Sequence, residues 1–184
     1  MNDRPVAAPA DVLDFWRAAG PEKWFKKDAA FDAQISERFL TTWHAAGAGE
    51  LSAWEETPDG ALALLLVLDQ FPRNMFRGET RAFATDALAR AVTDRAIARG
   101  FDQTAPKAER VFFYLPFEHS ESSADQDRGV ALVRAMGDAD LLKWAKLHAD
   151  IVRRFGRFPH RNAVLGRTST AEELSFLAGG GFTG

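Results

Sequence analysis

Apolar residues recur along this chain at intervals of three and four, the spacing that gathers them on one side of an α-helix. Over Ala10–Ala19 they are Val12, Phe15, Trp16 and Ala19, and Gly20-Pro21 stops the run. A second run starts near Asp28. It carries Phe31, Ile35, Phe39 and Trp43 at four-residue steps and ends in "AAGAG". Pro58 opens a third, apolar on every side from Ala61 to Leu68, which belongs at the centre of a fold. Thr85 caps a fourth, whose close at Arg95, Arg99 and Gly100 suits the negative end of a helix dipole and the position after it. Thr104, with Pro106 in its first turn, starts a fifth. Ser122 or Ser123 opens a sixth through Val130, Val133 and Met136, and Asp138 caps a seventh that runs to Phe155 and stops at Gly156. Ser169 and Thr170 precede Glu172 and Glu173 at capping-box spacing, for a last short helix.

No segment alternates as a strand does. The connections are short, which places successive helices antiparallel. The pattern therefore predicts an all-α fold of about seven to nine helices. The 184 residues fit a single domain, 1–184. A chain of this size buries about two-thirds of its unfolded surface and needs no metal or disulfide to fold. Its net charge of −3 argues against a nucleic-acid partner or a membrane surface. With no cysteine, thiol catalysis and thiolate metal sites are excluded, and a reducing, cytoplasmic compartment fits. The first residues, "MNDRPVAAPADV", have no apolar stretch of the signal-peptide kind. The longest apolar run falls far short of the roughly 20 residues of a membrane span. "GGGFTG" at 179–184 matches a nucleotide-loop spacing, but no strand precedes it and no helix follows, so it reads as a flexible tail.

Polar residues on the apolar stripes are the candidates for chemistry. Leu141, Ala145, His148, Val152 and Phe155 share one face of the seventh helix, and Ala108, Phe112, Leu115 and His119 one face of the fifth. Glu118 lies seven residues after Val111. Asp69 follows Leu62 and Leu65 or Leu66 on the third. Burying such groups without partners costs about 1–3 kcal/mol each. Two similar turns can supply those partners: "QFPRN" at 70–74 and "RFPHRN" at 157–162, each using proline to end an apolar helix and then offering Arg-Asn. An acid at a helix end opposes the dipole, so Asp69 calls for Arg73 or Arg77 beside it. Pro116 removes a backbone donor inside the fifth helix. Either a kink aims Glu118 and His119 into a cavity, or the helix ends there and "EHSES" is a solvated turn. Residues 153–167 carry Arg153, Arg154, Arg157, Arg161 and Arg167 and no acid, a run that can compensate Asp69, Glu118 and Glu121 or grip an anion.

The candidate ligand-binding set is thus Asp69, Arg73, Asn74, Glu118, His119, Glu121, His148, His160, Arg161 and Asn162. His119, His148 and Glu118 are the candidates for proton transfer, because histidine titrates near neutrality. A lone histidine on an apolar face is equally a satisfied core residue. The His-x-x-x-His and Glu-x-x-His spacings of helical metal sites are absent, so neither a metal nor a cofactor is expected.

The segments "VLDFWRAAGPEKWFKKDAAFDAQISERF", "LLLVLDQFPRNMFRG", "AFATDALA", "ERVFFYLPFEHSES" and "HADIVRRFGRFPHRNAVLGRTSTAEELSFL" resemble, in order, a bacterial family known as domain of unknown function 924. The resemblance covers nearly the whole chain. It implies antiparallel helix pairs in a right-handed, tetratricopeptide-like array, and supplies no activity or substrate. It singles out Asp69, Gln70, Arg73, Asn74, Glu118, His119, Ser120, Glu121, His148, Arg157, His160, Arg161, Asn162 and Arg167. Two functions stay open: a site for a small anionic molecule lined by the Glu/His/Arg cluster, or a tetratricopeptide-like scaffold for a protein segment, its polar network purely structural.

Overall fold

The computed structural model describes residues 4–183, which form helices and no strand. They fall into two compact units. The first takes the residues up to Arg77 and Arg81–Pro116; the second takes Gly78–Thr80 and the chain from Phe117 onward.

In the first unit, α1 (Pro9–Ala19) buries Val12, Leu13, Phe15 and Trp16, and Gly20 turns the chain into the one-turn α2 (Pro21–Trp24). α3 (Ala29–Gly47) begins on Asp28, whose carboxylate accepts from the N–H groups of Ala30 and Phe31. It buries Phe31, Ile35, Phe39 and Trp43, the stripe expected from the sequence. Rings fill the space between these helices: Phe15 stacks on Phe31 at 5.3 Å and Phe39 meets Phe71 at 4.9 Å. α4 (Pro58–Leu65) is buried from Gly60 to its end. A Cβ on Gly60 would stand 2.1 Å from the Trp54 carbonyl, so only glycine lets the preceding 3-10 turn close on this helix.

The apolar helix does not end at Pro72, contrary to the expectation. A π turn, Leu66–Gln70, follows α4, with Phe71 N–H donating to the Leu66 carbonyl five residues back, and α5 (Phe71–Met75) continues from it. Pro72 lacks the N–H that would reach the Leu68 carbonyl. The Thr85 hydroxyl donates to that carbonyl at 2.5 Å and accepts from the Trp43 indole at 3.2 Å. This explains a second difference. Thr85 precedes α6 (Asp86–Ala98) but caps nothing with its side chain, because the hydroxyl is committed elsewhere. Asp69 consequently sits within a continuous helical path rather than at a helix end.

After Gly100, left-handed at φ 73°, come three single turns: α7 (Phe101–Thr104), α8 (Lys107–Arg110) and, past a 3-10 turn at Val111–Phe113, α9 (Leu115–Glu118). Thr104 therefore ends a helix instead of starting one. Pro106 and Pro116 divide the expected fifth helix, and such breaks carry the number of helical segments past seven to nine. α9 stops at Glu118 and a turn follows, as in the second of the two outcomes open for Pro116, but the turn is not solvated: Glu118 and Ser120 are buried.

In the second unit, Ser122 caps α10 (Ser123–Met136) and Asp138 caps α11 (Ala139–Phe155), as expected, with Gly137 turning between them. These two helices pack along each other. Gly156 ends α11 in the left-handed region. A 3-10 turn at Pro159–Arg161 and the capping box of Thr170 and Glu173 lead to α12 (Ala171–Ala178). Ile151, Val152 and Phe158 form the core, with Phe155, Phe176 and Phe182 packed on it. Phe182 belongs to the glycine-rich end that the sequence marks as a flexible tail; Gly184 of that tail lies outside the described residues, as do residues 1–3. Among the described residues no helix is long and apolar enough to cross a membrane.

Thr85→Val keeps the shape of the side chain but removes the hydroxyl from both the Leu68 carbonyl and the Trp43 indole. We expect it to destabilise the protein by about 1–3 kcal/mol, read as a lowered urea midpoint with an unchanged m-value.

Candidate functional site

Glu118 is the last residue of α9 and His148 lies on the buried face of α11. Their side chains meet, with Glu118 Oε1 2.8 Å from His148 Nδ1. The carbonyl of Trp144, one helical turn earlier, is 2.9 Å from the same nitrogen. A carbonyl oxygen can only accept, so Nδ1 carries the hydrogen and the neutral ring keeps its lone pair on Nε2. No protein atom hydrogen-bonds Nε2 among the described residues. Both residues are buried, Glu118 at 7 % and His148 at 8 % exposure.

The turn that presents Glu118 is held from α10. Gln126 Nε2 donates to the carbonyls of Glu118 and Ser120, each at 2.7 Å, and Ser120 Oγ lies 2.6 Å from Asp125 Oδ2. A Cβ added at Gly129 would stand 3.3 Å from Phe117 Cβ, so the helix approaches this turn closely. Gln126 is absent from the sequence-derived set. Its signal was present: it stands four and seven residues before Val130 and Val133, on their apolar stripe.

Rings surround the pair. His148 meets Phe182 edge-to-face at 4.6 Å, Phe158 at 5.6 Å and His119 at 6.5 Å. His160 lies 5.6 Å from Phe158 and 5.2 Å from Phe182, its Nδ1 buried without a hydrogen-bond partner. Arg161 Nη1 donates to the His119 carbonyl at 3.0 Å, and its guanidinium lies 4.4 Å from the centre of the Phe158 ring. The second unit thus brings together Glu118, His119, His148, His160 and Arg161.

Two other candidates act as braces. Glu121 accepts from Arg167 through both oxygens, at 2.6 and 3.0 Å, and from Phe158 N–H at 2.9 Å. Burial pushes its carboxyl up, but Arg167, the Phe158 N–H and the charge of Arg161 outweigh that and hold it below its ordinary range. Asn162 Nδ2 donates to Ser169 Oγ at 3.0 Å and Glu173 Oε2 at 3.1 Å.

Arg153, Arg154, Arg157 and Arg167 of the arginine run each meet an acid outside it. Arg153 meets Asp127 and Asp150, Arg154 meets Glu172, and Arg157 grips Glu173 at 2.7 and 2.9 Å. The exposed pairs, screened by solvent, contribute little to stability. Glu173 differs, being only 2 % exposed. Arg157, the Thr170 N–H and Asn162 hold its carboxyl down to about 2 against the opposing effect of burial. A shallow cleft of about 400 Å³ is lined by Arg154, Phe155, Arg157, Thr170, Glu172 and Glu173, so its charges are already balanced.

In the first unit, the buried Asp69 accepts from Gln70 Nε2 at 2.5 Å and lies 3.2 Å from Arg73 Nη1. Arg73 also reaches Asp86 at 3.1 Å. Burial alone would lower its pKa, but the two carboxylates outweigh it and the pKa is raised. Arg77, offered from the sequence as a partner of Asp69, pairs with Asp32 instead, and Asn74 Nδ2 donates to the same carboxylate at 2.7 Å. A network unseen in the sequence lies nearby in the chain: Tyr114 OH donates to Asp102 at 2.6 Å, and burial and that acid push the phenol's pKa up. Among the described residues no group of three or more His, Asp or Glu side chains is placed to hold a metal ion.

The profile of a bacterial family of proteins of unknown function, DUF924, matches residues 12–181. A solved structure of a protein of unknown function from Agrobacterium tumefaciens is 51 % identical, with a TM-score of 0.90 over 92 % of this chain and 96 % of that one. No curated protein matches the chain.

His160 is pushed from its usual 6.5 down to about 4, first by burial and then by the charges of Arg161, His148 and Arg167, against the opposing charge of Glu121. Between those values the unfolded chain binds a proton that the folded chain does not, so stability falls as pH drops from 6.5 to about 4. Glu173 continues the loss from 4.5 down to about 2. Stability is fully present above pH 6.5 on both accounts. We expect the melting temperature to decline on acidification through both windows, and His160→Asn to flatten the upper one while leaving the lower.

Proposed function

The chain belongs to the bacterial family of proteins of unknown function, DUF924, and we propose that its Glu118–His148 pair is a proton-transfer site for a small anionic molecule. The observation that carries the reading is the division of labour on one imidazole. Glu118 and the Trp144 carbonyl hold Nδ1–H, which fixes the ring and its tautomer, while Nε2 keeps a lone pair with no protein partner among the described residues. A carboxylate that orients a histidine and stabilises its protonated form is the arrangement a general base requires. His119 lies beside the pair, and His160 and Arg161 complete the surroundings. Arg161 supplies positive charge, whose reach is visible in the lowered pKa of His160. Glu121 and Asn162 brace the wall, and Asp69, Arg73 and Asn74 serve the first unit. A cytoplasmic setting belongs to the same proposal.

A second reading has its own support. Arg153, Arg154, Arg157 and Arg167 of the run each meet an acid, and α10 and α11 pack along each other, as the helix pairs of a tetratricopeptide-like array would. Trp144 is 50 % exposed on α11. These features favour a scaffold with a structural polar network, built to receive a protein segment.

Thermal melts of the wild type, Glu118→Gln and His148→Ala in phosphate, acetate and citrate separate the two. The first reading expects an anion to raise the wild-type midpoint with its concentration. It expects His148→Ala to lose that response, whatever stability it loses by leaving Glu118 without its partner. The second expects no response, and a loss of about 1–3 kcal/mol in His148→Ala because Glu118 is left buried without its partner.

A further inference from the structure

α12 ends at Ala178, and three glycines follow. They turn the chain back across Phe176. Gly181 N–H donates to the Phe176 carbonyl at 2.9 Å, and a Cβ at Gly181 would stand 2.6 Å from that oxygen and 2.6 Å from the ring. Gly180 is in the left-handed region at φ 81°. Glycine at these two positions is what lets the segment fold back, and the fold-back delivers Phe182 to the rings of His148 and His160. The aromatic ring so delivered is partly exposed, and no backbone hydrogen bond of Phe182 or Thr183 secures it among the described residues. Among the described residues its hold consists of edge-to-face contacts with two imidazoles and packing on the cluster of Ile151, Val152 and Phe158. A side chain needed only to fill the core would be fastened by a helix or a turn on both sides. This one is carried by a glycine segment that bends without steric cost.

We infer that Phe182 is a removable cover over the His148 ring, and that a ligand reaches the Glu118–His148 pair when the segment 179–183 swings aside. The inference names the regulation of the site proposed above and rests on that reading for its functional meaning. The cover itself is a statement about access. It makes the resting site dry, which strengthens the Glu118–His148 contact, and it makes opening a condition of binding.

Diethyl pyrocarbonate, which acylates neutral imidazoles, reads that access on the full chain. Modification at each of the four histidines is followed by peptide mass spectrometry in the wild type, Phe182→Ala and Gly181→Ala. The two variants act differently, one deleting the ring and the other forcing the segment off the Phe176 carbonyl. The expected result is a rise of about tenfold at His148 in both, equivalent to losing a local opening free energy of about 1.4 kcal/mol. His160 should rise with it, while His44 in α3 stays unchanged. Equal rates at His148 in all three proteins would overturn the cover. A uniform rise at every histidine would overturn it too, since that reports loosened packing rather than an uncovered ring. The reagent responds to accessibility whatever His148 does chemically. A raised rate without any anion response therefore leaves the cover standing and removes the proton-transfer reading. Where both hold, Phe182→Ala binds the responsive anion more tightly than wild type.

Discussion

The Gln126 amide, donating to the carbonyls of Glu118 and Ser120, fixes the turn from which the second unit is organised. Those carbonyls belong to the last residue of a one-turn helix and to one just past it, where no backbone donor continues the ladder. With the turn fixed, Glu118 faces His148, Ser120 meets Asp125, and Glu121 reaches both Arg167 and the Phe158 N–H. Gly129 lets α10 come close enough to serve the turn, and a larger residue there would press on Phe117. Backbone satisfaction, side-chain orientation and core packing in this unit therefore share one origin, and a change at Gln126 would propagate to all of them.

The two Arg-Asn turns noticed in the sequence prove alike in what they do. Arg73 donates to the Asp69 carbonyl and Arg161 to the His119 carbonyl. Asn74 donates to the Asp32 carboxylate and Asn162 to the Glu173 carboxylate. In each, the arginine gathers a backbone oxygen and the asparagine braces an acid. The acids differ in what surrounds them. Asp69 and Asp86 flank Arg73, while Glu173 joins a capping box to Arg157. The echo is a packing device, used once in each unit with local partners.

What the sequence made legible follows from how far each rule reaches. Asp28, Ser122, Asp138 and Thr170 were readable as caps because a cap bonds a donor two or three residues away. The buried stripe of Phe31, Ile35, Phe39 and Trp43 was readable because helical period decides it. The π turn was not. The rule that proline ends a helix is local, and the group that defeats it, Thr85, is 17 residues from Leu68. The ion-pair partners of the arginine run were also out of reach. Glu172 and Glu173 looked complete as helix-start residues, and nothing local says that Glu173 also anchors Arg157. The histidine pair was half legible: the stripes flagged His148 and Glu118 as buried polar groups in need of partners, but not that they would find each other.

A purely structural pair would have a simpler solution. Glutamine at position 148 could donate to an acid and a carbonyl without carrying a second, basic nitrogen into the interior, and a leucine pair would avoid polar burial altogether. Two carboxylates of the second unit are fully met: Glu173 has Arg157, Asn162 and a backbone N–H, and Glu121 has Arg167 and another. Other polar atoms of the unit, Gln126 Oε1 and Asn162 Oδ1 among them, are buried without a partner among the described residues. Among those residues His148 Nε2 has no protein donor or acceptor, His160 Nδ1 is buried without a partner, and Phe182 lies edge-on to both rings. Unmet hydrogen-bonding capacity costs free energy, and each instance calls for a cause such as a bound water, an ion or a functional role. Phe182, which touches both histidine rings as Phe158 does but is carried on glycine, is then placed where an incoming molecule would have to displace it.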